Sequence, residues 1–175
     1  MNVMKLNSLR RVLYALALGL PSLTFPVAAN ITFTITGVLE AKTCAFNETT
    51  RTVDLPEVDT RSLSNSNGIY GKTDFTLTLN CSGGVAEVNI IPSGTSVTGG
   101  DTSLFLNTGS AKNVGLRLLD SADNVLTPSG QSKATFDFND TGGIYTFSAG
   151  YSSTGTGRVS GGSFQTVVTF SLEYS

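Results

Sequence analysis

The sequence contains no histidine and no tryptophan, and it has only two cysteines in 175 residues. Histidine is the side chain most often used as a general acid or base near neutral pH. Its absence excludes Ser-His-Asp and Cys-His catalytic systems and every zinc site that includes histidine. Two cysteines cannot form a cysteine-only zinc site. We therefore expect no metal, no cofactor and no enzyme, apart from the remaining possibility of catalysis by carboxylates alone.

Acidic residues are missing from the start of the chain, where none precedes Glu40. A basic beginning is followed by an apolar stretch at 12–20 and by the small residues Val27 and Ala29. These are the parts of a secretory signal peptide. We predict a signal peptide over residues 1–29, cleaved after Ala29, with a short N-terminal anchor helix as the alternative.

The remainder of the chain is mildly acidic, because all 13 acidic residues lie at or after Glu40. Nucleic acids require a basic face, so we expect no nucleic-acid partner. Export would place Cys44 and Cys81 in an oxidising compartment, where a disulfide between them is expected. Closing that loop would stabilise the fold by about 4 kcal/mol. An intermolecular disulfide or two free thiols are the alternatives.

Apolar residues alternate with threonine and other polar residues along most of the chain, as in Phe75 to Cys81. This period of two, in segments rich in Thr, Val, Phe and Tyr, is typical of β-strands. Glycine-rich turn clusters separate the segments, and only a short helical turn near 104–107 is conceivable. The length suits one domain, so we predict a single all-β sandwich. The predicted strands cover 31–37, 75–81, 85–91, 114–119, 144–151 and 164–175.

Two of these strands do not suit an ordinary sandwich. One, at 31–37, would lie at the very start of the mature chain, ahead of Cys44. The other, in which Phe164, Val168, Phe170, Leu172 and Tyr174 share one face, would leave its own edge uncovered. An uncovered edge of this kind favours pairing with a strand of another chain.

The residues from Ala29 to Cys44 resemble the N-terminal extension of chaperone–usher pilins, with Gly37 placed ahead of the first cysteine. Cys81 at the end of an alternating strand, Gly162 and the penultimate Tyr174 are similar to that family as well. Among its members, the chain is most similar to the minor, tip-proximal subunits of type 1-like fimbriae.

The resemblance implies an incomplete immunoglobulin-like β-sandwich with six of the seven strands of the fold, the seventh being supplied in trans by another chain. It divides the chain into a signal peptide at 1–29, an N-terminal donor-strand extension at 30–42 and a pilin domain at 43–175. The implied donor residues, which would fill the groove of a neighbouring subunit, are Ile31, Phe33, Ile35, Gly37 and Leu39. The implied groove and chaperone contacts are Gly162, Val168, Phe170, Leu172, Tyr174 and Ser175.

The same resemblance implies the partners and the location of the protein. A periplasmic chaperone would first lend the missing strand, and an outer-membrane usher would then replace it with the extension of the next subunit. Neighbouring pilins would be bound on both sides. The protein would pass through the periplasm to a fimbria on the cell surface, with a minor tip adapter favoured over a major shaft subunit.

Less specific interpretations of these residues stay open at this stage. The stretch 31–37 could be an ordinary edge strand of the chain's own sheet, and Tyr174 an ordinary core aromatic. The pair Asp120 and Asp123 could be acid–base carboxylates, although neighbouring Gly, Asn and Ser residues favour solvated turns. A secreted carbohydrate-binding sandwich is the alternative from a different functional class.

Overall fold

The computed structural model describes residues 43–63, 68–82, 87–137 and 142–174. The predicted signal peptide and the predicted strand at 31–37 lie outside the described residues. Within the described part the secondary structure is entirely strand, as the alternating pattern predicts. No described residue belongs to a helix long and apolar enough to cross a membrane.

The described residues form nine strand segments in two antiparallel sheets, so the predicted all-β sandwich is confirmed. The larger sheet has the order β1-β2-β8-β5-β4, with β6 paired to β5, and the smaller sheet has the order β7-β3-β9. Their bounds are β1 Thr43–Phe46, β2 Tyr70–Ser82, β3 Glu87–Ser93, β4 Phe105–Leu106, β5 Val114–Leu119, β6 Val125–Leu126, β7 Ala134–Asp137, β8 Gly142–Ser153 and β9 Thr169–Tyr174.

The segment β5 begins and ends where the sequence pattern predicts, and all six of its residues are buried. The possible helical turn near 104–107 is wrong, because Phe105 and Leu106 form β4 and pair with β5. Phe105 is fully buried, and burial of its ring against the sheet outweighs a local turn preference.

Aromatic side chains join the two sheets at the centre of the core. Phe75 of β2 and Phe147 of β8 face each other in register, with ring centroids 5.8 Å apart. Phe170 of β9 reaches across from the smaller sheet, and its ring centroid lies 5.5 Å from that of Phe147. Aromatic contacts of this geometry stabilise the fold beyond the effect of the area that the rings bury. The cluster therefore helps to fix the separation of the sheets near β9.

A disulfide joins β1 to β2 at the edge of the larger sheet. Cys44 and Cys81 lie opposite each other in the register of the two strands, with Cα atoms 4.0 Å apart. The disulfide predicted from the sequence is therefore present, and no described cysteine is free. It fixes the first residues of the domain to the sheet.

Candidate functional site

The strand β9 is paired on one side only. It bonds to β3 from Val88↔Tyr174 to Ser93↔Thr169, and no described strand lies along its other edge. Even-numbered side chains from Phe164 to Leu172 are half-buried and odd-numbered ones are exposed. The edge therefore combines free main-chain hydrogen-bonding groups with a row of incompletely covered apolar side chains.

The prediction extended this strand back to 164, but the ladder begins only at Thr169. Its partner β3 ends at Ser93, since the next amide, that of Gly94, donates to Pro128 instead. Residues before Thr169 bond to the loop at 106–111: the carbonyl of Gln165 accepts from Thr108, and its amide donates to the side chain of Asn107. The alternation of buried side chains nevertheless continues through this part.

An open groove of about 730 Å³ runs between β9 with its preceding residues and the segment 48–55 on the opposite wall. Apolar side chains of the larger sheet form its floor. The floor residues are Phe75, Leu77, Leu116, Leu118, Ala149 and Tyr151. The walls are formed by Phe46, residues 48–55 and residues 164–170. Floor residues such as Leu118 and Ala149 are buried, whereas apolar wall residues such as Val53, Val168 and Phe170 are only half-buried.

The segment 48–55 is held by side chains rather than by a main-chain ladder. None of the main-chain hydrogen bonds of the described residues joins this segment to another backbone group. Val53 and Leu55 pack against the core, while the guanidinium of Arg51 donates to the carbonyl of Thr76 in β2 at 2.8 Å. Main-chain donors and acceptors of this wall consequently remain available to a strand placed beside it.

Beyond the groove, Tyr174 joins the end of β9 to β1. Its hydroxyl donates to the carbonyl of Cys44 at 2.6 Å and accepts from the amide of Cys44 at 3.2 Å. This single side chain connects the end of β9 to β1, across the two sheets. The disulfide to Cys81 anchors the same residue of β1, so this end of the sandwich is firmly joined.

Two aromatic side chains of the groove lining pack against each other. Phe164 packs edge-on against Tyr151, with ring centroids 4.9 Å apart. Burial, with a smaller contribution from the negative charge of Glu57, raises the pKa of the Tyr151 hydroxyl. The phenol therefore stays neutral, in keeping with an apolar floor.

The residues singled out from the sequence occupy three different settings. Val168 and Phe170 line the groove, whereas Leu172 packs on the core opposite Ile90 and does not line the groove. Tyr174 is 41% exposed and makes the contact with Cys44 described above. The donor residues Ile31, Phe33, Ile35, Gly37 and Leu39, together with Ser175, lie outside the described residues.

Gly162 lies away from the groove, beside the loop at 109–111. Its φ is +153°, and a Cβ atom there would come within 2.6 Å of the amide nitrogen of Ala111. The amide of the next residue, Ser163, donates to the hydroxyl of Ser110. Gly162 therefore allows two segments to approach closely just before the groove wall begins.

The wall formed by residues 48–55 and the contact between Phe164 and Tyr151 were not predicted from the sequence. Val53 and Leu55, two positions apart, were the only pattern that could have indicated the wall. Tyr151 and Phe164 each belong to an alternating segment, but their contact depends on the tertiary fold.

A partly buried ion pair lies outside the groove and contributes to the scaffold. The guanidinium of Arg117 in β5 donates to the carboxylate of Asp101 at 2.6 Å. Burial raises the pKa of Asp101, but hydrogen bonds from Ser103 and Arg117 and the charge of Arg117 outweigh it and hold the pKa below its ordinary value. The carboxylate is therefore ionised when it pairs with β5.

The carboxylates considered for catalysis serve other roles. Asp120 accepts hydrogen bonds from the amides of Ala122 and Asn124, and Asp123 pairs with Lys72 at 2.6 Å. Across 43–63, 68–82, 87–137 and 142–174, no cluster of three or more potential metal-binding side chains is found.

The two sheets and the groove beside β9 define an incomplete immunoglobulin-like β-sandwich. The sequence profile of the family described as "Fimbrial protein" matches residues 30–175. The chain belongs to this family and is a pilin of the chaperone–usher type, a structural subunit of a pilus. Membership implies a location in an extracellular pilus and association with neighbouring subunits.

Individual relatives agree with this assignment. Protein FimG of Escherichia coli (strain K12) is 34% identical over 118 residues, covering 67% of this chain and 68% of FimG. The P pilus rod subunit PapA superposes with a TM-score of 0.64 at 18% identity, covering 75% of this chain and 99% of PapA. The P pilus adaptor subunit PapF superposes with a TM-score of 0.50 at 21% identity, covering 75% and 95%. The two structural matches establish a common fold.

Proposed function

We propose that this subunit accepts a strand from one neighbour in the groove beside β9 and donates its own extension to another. The observation that carries the proposal is the groove of about 730 Å³, with its apolar floor, next to the unpaired edge of β9. Strand addition uses both features: main-chain hydrogen bonds hold the strand, and alternate side chains fill the groove.

The acceptor residues proposed from the sequence are Gly162, Val168, Phe170, Leu172, Tyr174 and Ser175. Val168 and Phe170 are the best supported, because both line the groove and both are only half-buried. An added strand would cover them and remove the remaining apolar surface from water. Tyr174 would act beyond the groove by keeping β9 joined to β1 through Cys44.

The donor segment is proposed to be the extension at 30–42, preceded by a signal peptide at 1–29 and followed by the pilin domain at 43–175. Ile31, Phe33, Ile35 and Leu39 would fill the neighbour's groove, and Gly37 would allow close backbone approach. Burying four large apolar side chains would contribute roughly 6–12 kcal/mol before ordering costs.

The partners follow from the open groove and the family. A subunit with an unpaired strand edge and half-buried apolar walls would need a temporary strand during export, which a periplasmic chaperone would supply. An outer-membrane usher would then exchange it for the next subunit's extension. Within the fimbria we propose the position of a minor tip adapter that supports adhesion. The Thr-rich start of the extension and the ending Thr169 to Ser175 favour it over the shaft, where subunits generally have a longer extension.

Peptide displacement tests this function. The mature chain, bound to the chaperone of its own fimbrial system, is mixed with a peptide of residues 30–42 and, separately, with N-terminal peptides of neighbouring subunits. We expect at least one peptide to displace the chaperone and give a heat-resistant complex. The same peptide carrying leucine at its central glycine is the control and should not insert.

The opposite result of this experiment would contradict the proposed strand acceptance. If no fimbrial peptide displaces the chaperone and the chain forms a stable soluble monomer when made without one, the groove does not require a strand. The donor role is tested separately by deleting residues 30–39: the shortened subunit should still bind the chaperone but should end fibre growth at its donor side.

A further inference from the structure

The first strand leaves the larger sheet at a defined point. The register from Thr43↔Ser82 to Phe46↔Leu79 continues with a bond from the amide of Asn47 to the carbonyl of Thr78. In an antiparallel ladder the next such bond comes two residues later on one strand and two residues earlier on its partner. A continued β1 would therefore place the amide of Thr49 on the carbonyl of Thr76.

A side chain occupies that carbonyl instead. The guanidinium of Arg51 donates to the carbonyl of Thr76 at 2.8 Å and lies 3.4 Å from the carboxylate of Glu48. The chain has departed from β2, and residues 48–55 form the groove wall that faces 164–170. Arg51 is thus bonded where Thr49 would bond if the wall were withdrawn onto β2.

The two arrangements exclude each other, because a hydrogen bond from Thr49 needs the backbone of 48–50 against β2. Open strand edges readily recruit adjacent backbone. A long, charged side chain that satisfies the exposed carbonyl removes part of that tendency and spans the gap between β2 and the wall.

We propose that Arg51 is a positioning residue for strand acceptance: by bonding to the carbonyl of Thr76 it keeps the segment 48–55 off β2, as the second wall of the groove. The inference rests on the proposed function, since it concerns the rate at which the groove takes up a donor strand. Arg51 acts through the wall, whose main-chain groups would bond the incoming strand opposite β9.

The test compares peptide uptake by Arg51 variants. The chaperone-bound mature chain is mixed with a fluorescent peptide of residues 30–42, or with the neighbouring subunit's N-terminal peptide that displaces the chaperone from the wild type. Arg51→Ala should take up the peptide about fivefold more slowly, a moderate loss for a partly exposed, charge-assisted hydrogen bond. Arg51→Lys, which keeps one cationic donor, should give an intermediate rate.

A matched control separates this role from loss of charge. Arg61→Ala removes an exposed arginine that pairs with Asp59 away from the groove, and it should have no effect. If Arg51→Ala fails to fold, Arg51→Met, which retains the aliphatic stem, replaces it.

Amide hydrogen exchange gives a readout that general destabilisation would not produce. In Arg51→Ala the amide of Thr49 should gain protection, because it becomes free to bond to Thr76. Uptake at the wild-type rate, or slower uptake with no protection at Thr49, overturns the inference while leaving the proposed function intact. Failure of the wild type to take up any peptide overturns both.

Discussion

Removing the ring of Phe170 should weaken the strand-filled subunit far more than the empty one. Phe170 lines the groove and is half-buried, and its ring lies 5.5 Å from Phe147 and 6.2 Å from Phe75 between centroids. With the groove empty, Phe170→Ala loses these two ring contacts, each contributing about 0.5–1.5 kcal/mol, and part of the buried area. We expect a loss of about 2 kcal/mol in the free energy of unfolding.

With a donor strand in place, the ring would be covered on its remaining face. The same substitution then approaches a fully buried Phe→Ala change, which costs about 3–5 kcal/mol because a cavity is left. The difference between the two states, about 1–3 kcal/mol, should appear as weaker binding of the donor peptide. Guanidinium unfolding of the peptide-filled subunit, together with the dissociation rate of the peptide, measures it.

Val167 provides the matched control, since it lies in the same groove wall but is 71% exposed. Val167→Ala should change neither stability nor peptide dissociation by more than about 0.5 kcal/mol. Equal losses for Phe170→Ala with and without the peptide would refute the reasoning, because the ring would then gain nothing from strand insertion.

Three further substitutions test the scaffold around the groove. Tyr174→Phe should cost about 1–2 kcal/mol in thermal or denaturant unfolding, because both hydrogen bonds to the backbone of Cys44 are lost. Replacing Cys44 and Cys81 together by serine should cost about 4 kcal/mol in chemical denaturation relative to the oxidised wild type, and a variant as stable as the oxidised protein would contradict this. Asp101 has a lowered pKa, so its contribution to stability is full above about pH 4 and is lost as the pH falls through the folded-state value. Asp101→Asn should therefore have a lower free energy of unfolding than the wild type at pH 7. In denaturant unfolding this difference should become smaller in acid, and a difference independent of pH would contradict the assigned ion pair.

Much of the fold could be predicted, because the alternation of apolar and polar residues along a strand indicates which of its side chains are buried. The segment at 114–119 was predicted with its observed bounds, and β2 and β8 extend their predicted cores by a few residues. The error at 104–107 came from a two-residue strand, which is too short to show a period.

The groove could be predicted only in part. One wall follows from the alternation at 164–174, and Val168 and Phe170 were chosen from it. The other wall depends on where β1 leaves β2 after Asn47, which is a competition between a backbone ladder and the side chain of Arg51. Local patterns do not encode such a competition, because both outcomes use the same residues.

The bond between Tyr174 and Cys44 also matters for a fibre under tension. In the proposed assembly, pulling on the fibre drags the inserted strand along β9, so its main-chain bonds are loaded together in shear and share the force. Such a joint would fail sooner if the sheets could spread and peel the bonds apart one at a time. Tyr174 resists spreading where β9 ends, and the disulfide behind Cys44 passes the load into β2. The bond between Tyr174 and Cys44, with the disulfide, would therefore keep the main-chain bonds of the inserted strand loaded in shear.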